Sequence, residues 1–347
     1  MAFLFGNQAL WSTPSLATDY YADINRGNNT YSGLTPDEAF SDLKHAMKQL
    51  HAGDTLHVRS GEYRDIVYLR SAGDYKSGTS TQPITIKAYQ NEAPVIGTDA
   101  LLVIEDLSWW VFEGLIFQNS GPLRFGMRDT TLVPVTNQCT STAENITVRE
   151  NRFQHGGSPG IRVVCGRHFK IQANLFDNLR SRIEGKDTQA IMLFYQASDV
   201  FISGNHFTDI GADGVHLLDN PGAAFTDIVI TGNEFEIQRP YRYRDETGSV
   251  AAEDQQPFSY VGENAIDVKQ GPGPVFISKN IIHGFRSTTA GQDASGSIGA
   301  GIVVHKQARN VTISRNIFHD NRIHLNVGMG SNTAPQQDRD TLIHNNI

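Results

Sequence analysis

The chain has 347 residues, 39% of them hydrophobic and 32 of them glycine, so it can bury a substantial core in a turn-rich architecture. Its formal net charge of −8 argues against non-specific nucleic-acid binding, which relies on a basic surface. No stretch approaches the roughly 20 apolar residues of a membrane span, so we expect neither nucleic acid nor a membrane as a partner.

Near the N-terminus, the segment PDEAFSDLKHAMKQLH (36–51) predicts an amphipathic helix. Its apolar residues fall at helical spacing: Ala39, Phe40, Leu43, Ala46, Met47 and Leu50. A strand bounded by glycine follows in GDTLHVRSGEYRD. A helix ahead of the first strand is suited to capping the open end of a stack of strands.

Six segments further along repeat one pattern of alternating apolar residues, then an Asn, then a bulky apolar residue two places on. They are ITVRENRF (146–153), FKIQANLF (169–176), VFISGNHF (200–207), IVITGNEF (228–235), VFISKNII (275–282) and VTISRNIF (311–318). The intervals between their asparagines are 23, 31, 28, 47 and 36 residues. Variable intervals around a fixed unit predict a solenoid with insertions on some turns.

The repeated asparagine has a structural interpretation. Asn tolerates the left-handed backbone conformation of a sharp corner, so we expect that conformation at the Asn itself. Stacked turn upon turn, each amide can also hydrogen-bond to the next one. We therefore predict a ladder inside the coil formed by Asn151, Asn174, Asn205, Asn233, Asn280 and Asn316.

Each repeat also has a second strand, and five of these strands align without gaps. They are GIRVVCG (160–166), AIMLFYQ (190–196), GVHLLDN (214–220), AIDVKQG (265–271) and GIVVHKQ (301–307). The second and fourth places are always apolar and are predicted to face inward. The third places then form an exposed ladder of Arg162, Met192, His216, Asp267 and Val303, beside fifth places that include Lys269 and His305.

Two cysteines, Cys139 and Cys165, form no metal motif. They are 26 residues apart, near one repeat length, so a disulfide between neighbouring turns is an open alternative. We interpret them as two buried or unreactive thiols.

The run DYYADINRGNNTYSGLTPDEAFSDLKHAMKQLHAGDTLHVRSGEYRD, followed by QPITIKAYQNEAPVIG, resembles the N-terminal segment of right-handed parallel β-helix proteins. These are polysaccharide lyases and related carbohydrate-active proteins of the pectate lyase-like superfamily, whose repeat the later turns also resemble. The resemblance implies an all-β domain over 19–347, a right-handed parallel β-helix with an N-terminal helical cap, after an extension at 1–18. Because DTLIHNNI stops within another repeat, the natural chain is expected to continue.

The resemblance also implies an activity, the calcium-assisted β-elimination of an acidic polysaccharide. This reaction needs a cation to stabilise enolate-like charge and a base near the C5 proton. Lys269 is the preferred base, provided that its pKa is lowered, and His216 is the alternative. Arg162 and His305 face the same way, and Arg162 suits a substrate carboxylate.

For calcium, the family's pattern is a cluster of adjacent Asp residues. The matching positions are Asp213 and Asp267, so this chain has one Asp where two would be expected. Asp219 and Glu263 are secondary metal candidates. The longest insertion, 236–262, precedes the Asp267 strand and is predicted to bind an acidic glycan through Arg239, Tyr241, Arg242, Tyr243 and Arg244.

Two other classes remain open. Three carboxylates, Asp213, Asp219 and Asp267, could supply the pair that a glycoside hydrolase requires. A carbohydrate-binding tailspike or adhesion module would form trimers or long fibres and bind sugar without turnover, whereas an enzyme is expected to be a monomer. The chain is expected to be extracellular, although MAFLFGNQALW shows no secretory signal, and a phage particle is the location that a tailspike would imply.

Overall fold

The computed structural model describes residues 16–119, 121–128, 139–180, 188–218, 224–238, 262–271, 273–285, 299–329 and 341–347. In this part of the chain, parallel strands form three rows, and each repeat contributes a strand segment to each row in turn. This is a right-handed parallel β-helix, as predicted. None of the helices among the described residues is long and apolar enough to cross a membrane.

Row 1 carries the second strand of each repeat. It consists of β4 (Ile66–Arg70), β7 (Leu101–Glu105), β10 (Leu123–Phe125), the first halves of β15 (Ile161–Gln172) and β17 (Ile191–Ser203), β19 (Asp213–Leu217), β22 (Asn264–Gly271), β25 (Ala300–Ala308) and β28 (Ile323–Met329).

Row 2 carries the alternating segment that precedes each repeat asparagine. It consists of β1 (Asp19–Ala22), β2 (Thr55–Val58), β5 (Ile84–Ala88), β8 (Leu107–Glu113), β13 (Ala143–Arg149), the second halves of β15 and β17, β20 (Ala224–Thr231), β23 (Val275–Ser278), β26 (Val311–Ser314) and β29 (Thr341–His344).

Row 3 carries the three residues that follow each repeat asparagine. It consists of β3 (Gly61–Tyr63), β6 (Pro94–Ile96), β9 (Ile116–Gln118), β14 (Arg152–Gln154), β16 (Leu175–Asp177), β18 (His206–Thr208), β21 (Glu234–Glu236), β24 (Ile281–His283) and β27 (Ile317–His319). A separate antiparallel pair joins β11 (Met127–Arg128) to β12 (Cys139–Ser141).

The core fills the space inside the rows, as the repeat pattern predicts. All ten apolar residues predicted to face inward from the second strands are fully buried or nearly so. The bulky residues two places after Asn151, Asn174, Asn205 and Asn233 form, with Phe117 of an earlier turn, a column of parallel rings with centroids 4.3 to 4.9 Å apart. The rings are those of Phe117, Phe153, Phe176, Phe207 and Phe235. This column places the turns in register.

The predicted asparagine ladder is present and runs on to Asn346. At each step, for example at Asn174, the backbone N–H and the side-chain amide both donate to Oδ1 of the next Asn, here Asn205, at 2.9 and 3.0 Å. The same amide donates to the Val148 carbonyl of the preceding turn. The Oδ1 of Asn174 in turn accepts from the Asn151 N–H, so one side chain satisfies two buried backbone groups of the preceding turn, which explains its recurrence.

The prediction about the corner was wrong by one residue. The left-handed conformation belongs to the residue before each repeat Asn, as at Ala173 (φ 53°) and Gly204 (φ 63°). The Asn is instead held by its hydrogen bonds inside the coil, so its role depends on the amide and not on the left-handed region.

The N-terminal helix is present but shorter than the segment 36–51. A 3-10 helix spans Pro36–Glu38, α1 spans Leu43–Gln49, and a second 3-10 helix spans Ser71–Gly73. The helix cannot extend further back because Asp42 caps it by accepting from the His45 N–H, while Phe40 forms a bridge with Ala22. The helix also follows β1 and does not precede the first strand, although it buries its apolar side as a cap should.

The interpretation of the cysteines as thiols was wrong. Cys139 and Cys165 form a disulfide that links β12 to row 1. Sequence spacing left both outcomes open, because a disulfide requires the two Cα atoms to lie close together, and here they are 6.0 Å apart.

Candidate functional site

The predicted ladder of third places exists in row 1. Hydrogen-bonded register sets Arg162 beside Met192, Met192 beside His216, His216 beside Asp267, and Asp267 beside Val303. The prediction that this ladder is exposed was wrong, because His216 and Asp267 are each only 2% exposed and Val303 is fully buried. These side chains point out of the coil but are covered by other residues and are not solvated.

A buried cluster occupies the centre of this ladder. Asp213, from the start of β19, lies with its Oδ2 3.0 Å from Nδ1 of His216. The other ring nitrogen of His216, Nε2, lies 4.0 Å from Oδ2 of Asp267 on β22. Asn264, opposite Asp213 in the register, donates its amide to Asp213 Oδ1 at 3.0 Å. The imidazole is thus flanked by two carboxylates.

The outer side of the cluster carries two basic groups. The Nζ of Lys269 lies 3.5 Å from Oδ2 of Asp267, and the Nε2 of His305 lies 3.1 Å from Oδ1 of Asp267. Their side chains are 29% and 21% exposed, so both reach the surface, whereas Asp267 lies behind them.

A shift in register between β22 and β25 brings these two groups together. Val268 is paired with Val304, but Gln270 is paired with Gln307, so the stretch around Lys269 and His305 is irregular. A β-bulge of this kind re-aims the side chains of its strand. Both groups can therefore approach one carboxylate.

The carboxylates also raise the pKa values of the two basic residues His216 and Lys269. Burial lowers the pKa of His216, but Asp213 and Asp267 more than offset burial, so this pKa lies above the ordinary histidine value. Burial likewise lowers the pKa of Lys269, and Asp267, Asp213 and Glu263 outweigh it. A lysine base needs a lowered pKa, which these contacts do not provide. Lys269 is an ammonium group at neutral pH in these surroundings.

Several polar atoms of the cluster are buried without a hydrogen bond to any described residue. They are both ring nitrogens of His216, Oδ1 of Asn264 and Oδ1 of Asp267. The contacts of His216 with Asp213 and of Asp267 with His305 are short, but their angles do not meet hydrogen-bond geometry. Imidazole nitrogens and carboxylate or amide oxygens are also the atom types that ligate cations in proteins.

The donor set departs from the predicted calcium site. The described oxygen donors are the carboxylates of Asp213 and Asp267 and the amide of Asn264, with the imidazole of His216 between the carboxylates. Calcium takes six to eight oxygen ligands, whereas imidazole suits zinc, copper, iron or nickel. Asp219 lies outside the described residues, and those that are described do not form an all-oxygen cage.

Arg162 and Glu263 are the other predicted residues that the structure describes. Arg162 lies on the same row but apart from the cluster, with its guanidinium 4.3 Å from the ring centroid of Phe194. Glu263 is half-buried next to Asn264. The predicted glycan-binding residues of the long insertion lie outside the described residues: Arg239, Tyr241, Arg242, Tyr243 and Arg244.

Sequence reasoning missed one member of the cluster, Asn264. A signal for it was present, because ADGVH (212–216) aligns with ENAID (263–267), and this alignment sets Asp213 beside Asn264. The alignment used to find the ladder began too late in each strand to include them.

Comparison with known proteins agrees with the fold. Residues 135–347 match the model of a family described as "Right handed beta helix region". A pectate lyase of Emericella nidulans is 29% identical over 170 residues, which make up 43% of this chain and 38% of that protein. The match therefore spans less than half the length of that relative.

Two solved structures share the fold at low sequence identity. Pectate lyase Pel9A is 16% identical with a TM-score of 0.53, over 96% of this chain and 79% of that one. A complex of XylC with xylose is 11% identical with a TM-score of 0.57, over 89% and 70% of the two chains.

Proposed function

We propose that this chain, which belongs to the right-handed β-helix family, is a polysaccharide lyase that cleaves an acidic, uronate-containing glycan by β-elimination. The pairing of Lys269 and His305 with the two oxygens of buried Asp267 carries the proposal. The similarity to a pectate lyase supports this class of reaction.

The two exposed groups match the two requirements of the reaction. The Lys269 ammonium would pair with the uronate carboxylate and stabilise the charge that develops when the C5 proton leaves. His305 would accept that proton, because imidazole is the commonest general base in enzymes. The C4–O bond then breaks, a C4–C5 double bond forms, and the leaving oxygen takes a proton from water.

The buried groups would act through these two. His216, with 3% of its side chain exposed, is too deeply placed to contact a polymer, so we propose it as a positioning residue and not as the base. Asp267 orients both exposed groups. Arg162, two strands away from His216 or about 10 Å at the usual strand spacing, would bind the carboxylate of a neighbouring sugar.

Calcium, the predicted cofactor, is not required by these roles. An ion bound near Asp267 would supply positive charge opposite the developing enolate, as it is expected to do in related lyases. No step above passes through it, because the described donors do not form an all-oxygen site. Its contribution is tested below by chelation.

A glycoside hydrolase at this cluster is less well supported. Its two carboxylates must be open to the glycosidic bond, and they are separated by about 5 to 10 Å in known enzymes. Asp213 and Asp267 are both buried and engaged by His216 and Lys269. A binding module without turnover remains the outcome to be expected if no product forms.

The disulfide between Cys139 and Cys165 supports an extracellular location. Disulfides persist in oxidising compartments and are rare in the cytosol. The same location suits a protein that acts on a polysaccharide.

The test is incubation with pectate, alginate and glucuronan, each with calcium and with chelator. A lyase produces the ultraviolet absorbance of an unsaturated sugar, and His305→Ala and Lys269→Ala should each abolish it. New reducing ends without absorbance would mean hydrolysis. The absence of both signals would exclude turnover of these polymers.

Two exposed residues away from the cluster provide matched controls. His344→Ala, on β29, and Lys170→Ala, on β15, remove the same side chains where they are exposed. Both should retain full activity. Loss of activity in the controls as well would mean that the cluster variants act through stability.

A further inference from the structure

We propose that Asp213, His216 and Asp267 bind a first-row transition-metal ion such as zinc, with His216 as a nitrogen ligand. This goes beyond the proposed lyase activity, because the binding can be measured without any substrate. It also replaces the all-oxygen calcium site predicted from the sequence by a site of different chemistry.

The three side chains already have a spacing close to that of ligands around one ion. One ligand atom from each lies within 4.8 Å of the other two. Zinc bound tetrahedrally, with bonds of about 2.0 to 2.1 Å, holds its ligand atoms about 3.4 Å apart. The 3.0 Å contact with Asp213 involves Nδ1 of His216, whereas the 4.0 Å contact with Asp267 involves Nε2, so one ion would bind one of these nitrogens and draw the other carboxylate towards it. Closing ligand atoms that lie up to 4.8 Å apart to about 3.4 Å requires side-chain movements of about 1 to 1.5 Å.

The unpartnered atoms point to a ligand independently of this spacing. Both ring nitrogens of His216, and Oδ1 of Asp267, are buried without a hydrogen-bond partner in the described part of the chain. Leaving such a group unsatisfied in a folded protein is unfavourable, so it calls for an explanation. A metal ion would satisfy one His216 nitrogen and the Asp267 oxygen together.

Charge and surrounding contacts also fit a dication. Two carboxylates lie beside one imidazole in a buried place, and a dication bound between them would neutralise their charge. Lys269, 3.5 Å from Asp267 and 29% exposed, supplies part of this positive charge in the structure. Asn264 donates to Asp213 Oδ1 and would orient that ligand, as outer-shell groups do in known metal sites.

The donor set selects the metal. Three protein ligands with a nitrogen among them leave a fourth position open, as in catalytic zinc sites. Calcium would have to accept an imidazole or displace it, and it would still need several more oxygens.

The first experiment uses the wild-type chain, stripped with chelator and titrated separately with zinc, cobalt and calcium by calorimetry. We expect one zinc ion per chain, bound at least 100-fold more tightly than calcium. Cobalt should bind with the visible absorption of a low-coordinate site. Tighter binding of calcium, or no binding of any of the three ions, would overturn the proposal.

Variants locate the ion. His216→Gln and Asp213→Asn should each weaken zinc binding by about 100-fold or more, and circular dichroism melting checks their folding. The wild-type cobalt spectrum tests for a low-coordinate site even if His216→Gln does not fold.

The matched control is His283→Gln. His283 lies with Glu234 and Glu236 on row 3, where a second group of suitable ligands comes together. Because hydrogen bonds from Thr208, Gln238 and His206 already engage Glu236, we expect no loss of zinc binding in this variant. Loss there and not in His216→Gln would move the ion to row 3 and refute the assignment.

The metal and the activity can fail separately. Zinc binding without an unsaturated product would leave the metal site standing and refute the lyase. An unsaturated product from a chain that binds no zinc, cobalt or calcium would support the lyase and refute the metal site.

Discussion

Lys269 and His305 lie on opposite oxygens of one carboxylate, that of Asp267, at 3.5 and 3.1 Å. The two basic residues belong to neighbouring strands of row 1 and meet where the register between these strands shifts. Asp267 is therefore the residue on which the geometry of the proposed active site depends.

Asp267→Asn should lower kcat by about 100-fold or more with a smaller change in KM, because the exposed pair loses the charge that orients it. The measurement is steady-state kinetics on whichever polymer the wild-type chain cleaves. Asp199→Asn is the matched control, since Asp199 pairs with His168 on the surface. Wild-type kinetics in Asp267→Asn would place the chemistry elsewhere.

The asparagine ladder should be the most sensitive part of the core to a small change. Asn205→Ala removes the acceptor of the Asn174 backbone N–H and the donor to the Ile171 carbonyl, both buried. We expect a loss of about 2 to 4 kcal/mol in the free energy of unfolding, measured with urea. Ser203→Ala, which removes only the partly buried hydrogen bond from Gln172, should cost less because water can replace the hydroxyl. Equal losses at both sites would contradict this account.

The disulfide should contribute to stability through the unfolded chain. Replacing Cys139 and Cys165 together by Ala opens a loop of 26 residues and should lower the free energy of unfolding by about 3 kcal/mol. Reductant should destabilise the wild type to a similar degree and leave the double variant unchanged. A reductant effect on the double variant would show that something other than the disulfide responds.

Acid should weaken the first turns through Glu92. Burial raises the pKa of Glu92, but hydrogen bonds from the Ser60 N–H and from Arg59 outweigh burial, so the pKa lies below its ordinary value. A carboxyl group with a lowered pKa stabilises the fold above its unfolded pKa and loses that effect as the pH falls through the folded pKa.

Glu92→Gln should therefore lower stability at pH 7 by at most about 1 kcal/mol, since the pair is partly solvated. Below about pH 4 its stability should approach that of the wild type. The check is urea unfolding at several pH values, and an equal difference at pH 7 and pH 3 would contradict the assignment.

The coil was predictable from the repeat pattern alone. Alternating apolar residues, an Asn and a bulky residue two places later recur in the chain, and each has a physical role that a local pattern can show. The hydrogen bonds of Asn174 and the ring column through Phe176 follow from that spacing. The register of the row 1 ladder was also predictable, because it follows from aligning the second strands.

The burial of the ladder, in contrast, depends on contacts between turns. Alternation along a strand shows which side chains point into the coil and which point out of it. Whether an outward-pointing side chain is solvated depends on the neighbouring side chains that cover it, and His216 and Asp267 are buried. The disulfide needed a distance between turns, and the helix boundary needed the bridge from Phe40 to Ala22. The meeting of Lys269 and His305 on Asp267 depends on an irregular strand pairing that no spacing in the sequence records.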